Sequence, residues 1–133
     1  RQGSTRAPQW TGGGMVFAPV PRDYSFKMNK KEKRAALKSA LTSRVQANKL
    51  IVLDQLTMDA PKTKAMQNVL NSLNVNKALV VTKENNANVV LSARNIPSVK
   101  TALVNTINVY DVMKYNTVVL TKDAVAAIEE VYA

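Results

Sequence analysis

Short apolar runs recur in the last two thirds of the chain, and segments with a helical pattern separate them. The runs are Leu50–Leu53, Ala78–Thr82, Thr101–Thr106 and Thr117–Thr121. Each contains valine and leucine and is short, which is typical of a strand that is buried on both faces. Strands that alternate with helices predict a mainly parallel sheet covered by helices on both sides. We therefore expect an α/β fold with three layers (α/β/α) and about four strands.

A helix is predicted from Asn29 to about Asn48. Asn29 is a favourable N-cap, and Glu32 follows three residues later, as in a capping box. Three apolar residues at four-residue spacing are expected to face the core: Leu37, Leu41 and Val45. Three cations repeat at the same spacing on a neighbouring face: Lys30, Arg34 and Lys38. Like charges at this spacing repel each other, and a phosphate ligand would relieve that repulsion.

The other helices are predicted from shorter patterns. Pro61 can open a helix whose apolar side is Met66, Val69, Leu70 and Leu73. Further helical segments are expected at Ala87–Arg94 and Val109–Lys114. A last helix is expected to be capped by Asp123.

Positive charge is concentrated near the start of the chain. The formal net charge is +10, and residues 1–50 hold eleven Lys/Arg against two acidic residues, a net of +9. Residues 51–133 hold eight Lys/Arg against seven acidic residues, a net of +1. A solubilising charge would be spread more evenly, so this distribution indicates a polyanionic partner for the first third of the chain.

Residues 1–28 show neither a helical nor a strand period. They contain all four glycines and three of the five prolines, and aromatic residues alternate with basic ones. Such a segment cannot bury enough apolar surface to order itself, so we expect an extended basic arm at 1–28 and a globular α/β domain at 29–133. Trp10 is the only tryptophan. It could stack on an unpaired base or dock onto the surface of the domain, and we favour the base.

Several kinds of chemistry are excluded or disfavoured. The chain has no cysteine and no histidine, so it has no disulfide, thiolate nucleophile, histidine acid–base pair or usual zinc site. The run Gly12–Gly14 follows no predicted strand and precedes no helix, so we interpret it as a hinge or a close approach to RNA and not as a nucleotide loop. No apolar run approaches the length of a membrane span, and we expect no secretory signal. We expect no catalytic residue, cofactor or metal.

Two further positions have alternative interpretations. Asp54, with Asp59 nearby, ends a predicted parallel strand, where it could bind Mg²⁺ or act as an acid or base, but a turn role is favoured. Arg94 and Asn95 follow a predicted helix. They could contact RNA, or they could be a surface arginine and a helix cap.

Five segments together resemble the bacterial form of the large-subunit ribosomal protein four family. They are residues 1–41 (RQGSTRAPQW through KSAL), 50–54 (LIVLD), 60–64 (APKTK), 91–96 (LSARNI) and 120–125 (LTKDAV). Members of the family begin with a further N-terminal portion, an opening strand and helix region and the first half of a long loop. We expect the present chain to lack that portion, so its sheet would lack any contribution from it.

The resemblance implies a protein that binds large-subunit ribosomal RNA, supports subunit assembly and sends its loop toward the nascent-peptide exit tunnel. By position, residues 1–10 match the returning limb of that loop, and residues 12–38 match its base and the start of the basic helix. The predicted RNA-binding residues are Arg1, Gln2, Arg6, Trp10, Arg22, Lys27, Lys30, Lys31, Lys33, Arg34, Lys38, Arg94 and Asn95.

We therefore expect a structural ribosomal protein in the cytoplasm, with neighbouring large-subunit proteins as further partners. Some relatives also bind their own messenger RNA as repressors, so a free-standing regulatory RNA-binding protein is the alternative. An α/β enzyme with a basic tail is less favoured, because it would need a glycine-rich loop after a strand or a clustered set of catalytic residues.

Overall fold

A computed structural model describes residues 3–132 of the chain. The elements in chain order are α1 (Lys30–Gln46), β1 (Leu50–Leu53), α2 (Thr63–Ser72), β2 (Ala78–Thr82), α3 (Ala87–Ala93), β3 (Val99–Leu103), a 3₁₀ turn (Val104–Thr106), α4 (Val109–Lys114), β4 (Thr117–Thr121) and α5 (Lys122–Tyr132). Residues 3–29 contain neither helix nor strand.

The strands form one parallel sheet in the order β1-β4-β2-β3. Two clusters of buried side chains cover its two faces. The first cluster joins the sheet to α1, α4 and α5. The second joins it to α2 and α3. The predicted three-layer α/β fold with about four parallel strands is therefore confirmed.

Alternate residues of the central strands enter opposite clusters. In β2, Leu79 and Val81 pack against the first cluster, and Val80 packs against the second. Each of these side chains is at most 1% exposed. A strand that is buried on both faces needs apolar residues at every position, which explains why the sequence shows unbroken runs and no alternation with polar residues.

Two asparagines in the left-handed conformation end the helices α1 and α2. Asn48 has φ 54° and Asn74 has φ 56°. After α1, the Asn48 N–H donates to the Val45 carbonyl at 3.0 Å, and the Lys49 N–H donates to the Arg44 carbonyl at 2.9 Å. The same pair of bonds, characteristic of a Schellman motif, closes α2 around Asn74. Each helix thus turns sharply into the loop before the next strand.

The predicted core stripe of α1 is only partly correct. Leu37 is buried and Leu41 is half-buried, but Val45 is 57% exposed. Arg44 takes the expected place of Val45 and is itself half-buried. Residues spaced by four drift round a helix of 3.6 residues per turn by about 40° at each step, so the third residue of such a series leaves the core face.

Three other predicted boundaries also differ from the structure. The third strand is Val99–Leu103 and not Thr101–Thr106, because the Thr106 hydroxyl bonds to both the N–H and the carbonyl of Leu103 and closes a 3₁₀ turn. Helix α2 begins at Thr63, two residues after Pro61. Helix α5 begins at Lys122 directly after β4, so Asp123 lies in its first turn and is not its N-cap.

Candidate nucleic-acid interface

Residues 6–14 fold back on themselves through backbone hydrogen bonds. The Gly14 N–H donates to the Arg6 carbonyl at 2.9 Å, and the Gly13 N–H donates to the Trp10 carbonyl at 2.9 Å. A Cβ at Gly13 would lie 2.0 Å from the Ala7 carbonyl oxygen, so only glycine fits there. The close approach predicted for this glycine run is thus made to the chain itself. RNA is therefore not needed to explain the close approach at Gly13.

The aromatic residues between Trp10 and the start of α1 are exposed. Phe17 is 95% exposed and Trp10 is 53% exposed, and Tyr24 and Phe26 are also largely open to solvent. Within the described part of the chain, neither core cluster includes any of them. Flat rings that are open on one side are the surfaces on which unpaired bases stack.

A local turn orders the segment just before α1. The Asp23 carboxylate accepts hydrogen bonds from the Ser25 backbone N–H and from the Ser25 hydroxyl, each at 2.9 Å. These bonds, chiefly the backbone one, hold the pKa of Asp23 below its ordinary value. The Arg22 guanidinium lies 4.3 Å from the centre of the Tyr24 ring. The turn therefore presents a cation stacked on an aromatic ring.

Helix α1 begins at Lys30, directly after this segment. The Glu32 carboxylate accepts a hydrogen bond from the Asn29 backbone N–H at 3.1 Å, which is one half of the expected capping box. The same carboxylate also accepts from the Asn29 side-chain amide at 3.3 Å. The one acidic residue of the first turn is thus engaged with the cap.

Five of the six cations of α1 are exposed, and none of the six forms an ion pair with a described residue. The exposed set is Lys30, Lys31, Lys33, Arg34 and Lys38. Between residues 3 and 132 the only ion pair joins Lys100 to Asp111, on the far strand β3 and helix α4. Since no carboxylate neutralises these side chains, α1 carries an open positive surface, and we call these five residues the basic face of α1. Such a surface attracts polyanions.

Arg44 is the one cation of α1 that is committed to the fold. Its Nε donates to the Val112 carbonyl at 2.9 Å and its Nη2 donates to the Met113 carbonyl at 2.7 Å. These carbonyls lie in the last turn of α4, where a cation is favourable. Arg44 therefore joins α1 to α4. Its i+7 spacing from Leu37 was the signal in the sequence that could have revealed this role.

The segment Ser92–Asn95 divides into a buried half and an exposed half. Ser92 is fully buried, and its hydroxyl accepts from the Lys62 N–H at 3.0 Å and donates to the Asn88 carbonyl at 2.6 Å. Ala93 is 1% exposed and belongs to the second core cluster. The first two residues thus hold α3 and the loop before α2 together.

Arg94 and Asn95 are exposed at the end of α3. The C-cap of this helix is Arg94, in a right-handed conformation. Asn95 is not among the residues with positive φ, so it does not act as a left-handed cap. Because α3 covers the face of the sheet opposite α1, the structure does not bring Arg94 and Asn95 together with the basic face of α1.

The other predicted site residues lie outside the helices and strands or outside the described part of the chain. Arg1 and Gln2 lie outside the described residues. Arg6 and Lys27 are exposed in the segment before α1. Asp54 and Asp59 are exposed in the loop after β1, and residues 3–132 contain no group of three acidic side chains that could hold a metal ion. No helix within these residues is long and apolar enough to cross a membrane.

A parallel α/β sheet that carries an unpaired basic helix and an exposed aromatic and basic segment is typical of proteins that bind nucleic acids. Comparison with known proteins gives the family. Residues 1–131 match the Ribosomal protein L4/L1 family, and the chain belongs to that family.

The similarity to known proteins extends over the whole chain. It is 70% identical over 133 residues to the large ribosomal subunit protein uL4 of Lachnoclostridium phytofermentans. It is 68% identical to that of Agathobacter rectalis and 65% identical to that of Lachnospira eligens, again over 133 residues. These alignments cover 100% of the chain but 65% of each relative, so the chain spans about two thirds of their length.

Proposed function

We propose that the chain is a structural, non-catalytic component of the large ribosomal subunit and that it binds large-subunit ribosomal RNA. The observation that carries the proposal is the basic face of α1, which has no acidic partner within the described residues and continues from an exposed basic and aromatic segment. The relatives named large ribosomal subunit protein uL4 support the same assignment.

In this proposal the cations supply affinity and the aromatic rings supply contacts to unpaired bases. The N-terminal segment (residues 3–29) contributes Arg6, Arg22 and Lys27. These cations bind the phosphate backbone together with the basic face of α1, and their binding releases counterions. Trp10 stacks on a base. Arg94 and Asn95 form a second, smaller contact on the opposite face, and Arg1 and Gln2 extend the first contact.

The resemblance to the family extends the proposal to the whole particle. The N-terminal segment lies along ribosomal RNA toward the nascent-peptide exit tunnel, and the protein supports assembly of the subunit in the cytoplasm. Neighbouring large-subunit proteins are its further partners. Binding to the leader of its own messenger RNA would use the same cations and is a secondary part of the proposal.

A charge-neutralising variant tests the central point. In Lys30→Gln/Arg34→Gln/Lys38→Gln, affinity for large-subunit ribosomal RNA should fall at least about tenfold. The slope of log K against log salt is negative, and it should become shallower by about two, because three phosphate contacts are lost. Fluorescence anisotropy across a salt series measures both quantities.

The matched control removes the same charge elsewhere. Lys64→Gln/Lys77→Gln/Lys122→Gln changes three exposed lysines outside α1 and should alter the affinity less than about threefold. Equal losses in the two triple variants would mean that net charge alone drives binding and that the basic face of α1 is not the site.

A further inference from the structure

A cleft lies at the edge of the sheet where the parallel strands end. Its volume is about 730 Å³, and its walls are the segments that follow β1, β2 and β4. The chain leaves β1 and β2 toward α2 and α3 on one face of the sheet, but it leaves β4 toward α5 on the other face. Where neighbouring strands send their connections to opposite faces, the connections part and leave a crevice, which is the usual ligand position in open α/β sheets.

The charge of the cleft is opposite to that of the chain. Asp54, Glu84 and Asp123 line it, with Lys83 as the single cation, in a protein of net charge +10. Across residues 3–132 the only ion pair is elsewhere, so these carboxylates have no cationic partner, and Lys83 does not neutralise them. The cleft is therefore a local negative site on a basic molecule.

The floor of the cleft carries a polar side chain without a partner. Thr121, the last residue of β4, lines the cleft and is only 9% exposed. Its hydroxyl makes no hydrogen bond to any described residue. The described residues contain no buried side-chain polar atom without a partner, so this hydroxyl opens onto the cleft and can bond a group that enters it.

The walls of the cleft are built by bonds that need no ligand. The Asn86 side chain accepts from the N–H groups of Asn88 and Val89 and so caps α3. The Asn88 side-chain amide donates to the Met58 carbonyl at 2.8 Å and fixes the loop after β1. Because these asparagines are occupied, the charged groups left for a ligand are the three carboxylates and Lys83, and the neutral polar groups are those of Thr121, Gln55, Thr57 and Asn85.

We propose that this cleft binds a basic peptide segment, a lysine- or arginine-bearing stretch of another protein. A guanidinium or ammonium group bonds carboxylates with charge assistance, and it can also donate to the Thr121 hydroxyl. Three carboxylates repel the phosphates of RNA, and the volume suits a few side chains and not a folded domain. This site goes beyond the proposed RNA contact, which uses other elements and the opposite charge.

Peptide titration of the full chain tests the proposal. The probe is a short fluorescein-labelled peptide rich in arginine, and the neutral control is the same peptide with citrulline in place of arginine. Anisotropy at low ionic strength should give saturable binding of the arginine peptide only. In ¹H–¹⁵N spectra of the unmodified chain, the amides that shift should be those of residues 54–57, 83–88 and 121–123.

A pair of variants with equal charge completes the test. Asp54→Asn/Asp123→Asn should weaken peptide binding about tenfold, the loss of roughly 1.4 kcal/mol of binding free energy. Glu129→Gln/Glu130→Gln removes the same charge from exposed positions of α5 outside the cleft and should change affinity less than about twofold.

Three results would overturn the proposal. The first is an equal loss of peptide affinity in both double variants, and the second is a set of amide shifts that lie outside the cleft. The third is an RNA oligonucleotide that displaces the peptide and shifts the same amides. The spectra are recorded on the unmodified chain, so their result stands even if a variant unfolds. Failure here leaves the RNA proposal intact, because that proposal is measured with ribosomal RNA and the α1 variants.

Discussion

Asp111 is a carboxylate that the fold has removed almost completely from water. It is 2% exposed, and it accepts from the Lys100 Nζ at 2.6 Å and from the Asn108 side-chain amide at 2.8 Å. Burial acts to raise the pKa of Asp111, but the bonds from Lys100 and Asn108 outweigh it, so the pKa lies below its ordinary value. The pair ties the edge strand β3 to the start of α4.

This arrangement predicts how stability depends on pH. Because the pKa of Asp111 is lower in the folded state, the stabilisation from its ionised form is complete above about pH 4 and is lost as the pH falls through the folded value. The same bond raises the pKa of Lys100, so its contribution is present below about pH 10 and is lost as the pH rises through the folded value.

Asp111→Asn should therefore destabilise the chain by about 2 kcal/mol at pH 7, since hydrogen bonds to a buried charge are lost. The difference from the unmodified chain should be smaller at pH 3 than at pH 7, because the carboxyl of the unfolded chain is then mostly protonated while the pKa of the folded one lies lower. Urea unfolding at both pH values measures it. A difference that stays constant between pH 7 and pH 3 would contradict an ionised Asp111 as the cause.

Asn74 is a second residue whose role is set by local geometry. Its φ of 56° lies in the left-handed region, which costs a residue with a β-carbon about 1 kcal/mol and which asparagine tolerates better than alanine. Asn74→Ala should lower the free energy of unfolding by about 1 kcal/mol, whereas Asn74→Gly should leave it unchanged or raise it slightly.

Asn71→Ala is the internal comparison for Asn74. Asn71 lies within α2, where alanine is the better helix former, so this substitution should be neutral or slightly stabilising. Denaturant unfolding of the three variants gives the order. If Asn74→Ala and Asn71→Ala had the same effect, the left-handed conformation would not be the reason for asparagine at 74.

At the scale of the elements, the strands were predictable and one helix face was not. Unbroken apolar runs of four or five residues identify β1, β2 and β4. In β2 and β4 both faces are covered, which requires such runs, whereas the edge strand β1 keeps the run although Val52 is 51% exposed. The edge strand β3 was misplaced by two residues, since an edge tolerates Lys100 within the strand. The predicted series in α1 ended at Val45, whereas Arg44 lies about 20° from Leu37 on the helix.

Two neighbouring polar residues at the end of α3, Ser92 and Arg94, have different predicted roles, and one experiment can distinguish them. Ser92→Ala removes a buried hydroxyl that holds the Lys62 N–H, so it should cost about 1–3 kcal/mol of stability. Arg94→Ala changes an exposed side chain at the end of the same helix and should lower the melting temperature by no more than a few degrees while weakening RNA binding.

Thermal unfolding and anisotropy with ribosomal RNA, applied to both variants, give the two readouts. Ser92→Ala should retain RNA affinity at temperatures where it is folded. If Arg94→Ala lost stability and kept its affinity, Arg94 would be a structural cap of α3 and not an RNA contact.

For the whole molecule, the uneven charge made the candidate RNA surface predictable. Charge balance is a property of composition along the chain, so no tertiary structure was needed to assign the basic first third. The acidic cleft could not be predicted in this way. Asp54, Glu84 and Asp123 are far apart in the sequence, and only the strand order brings the ends of β1, β2 and β4 to one crevice.

The N-terminal segment carries basic residues but contributes nothing to the core, and this predicts the effect of removing it. Residues 3–29 contain no helix or strand, and both core clusters are built from residues of α1 and beyond. Deletion of residues 1–27 should therefore leave the far-ultraviolet circular dichroism per folded residue and the melting temperature nearly unchanged.

RNA binding should respond in the opposite way to this deletion. Four cations and the exposed aromatic rings are lost, so affinity for large-subunit ribosomal RNA should fall by about tenfold to a hundredfold, with a salt slope smaller by about three. A deletion variant with unchanged affinity would show that α1 alone binds the RNA. A variant that unfolds would show that the segment stabilises the domain, because the two core clusters would then be insufficient without it.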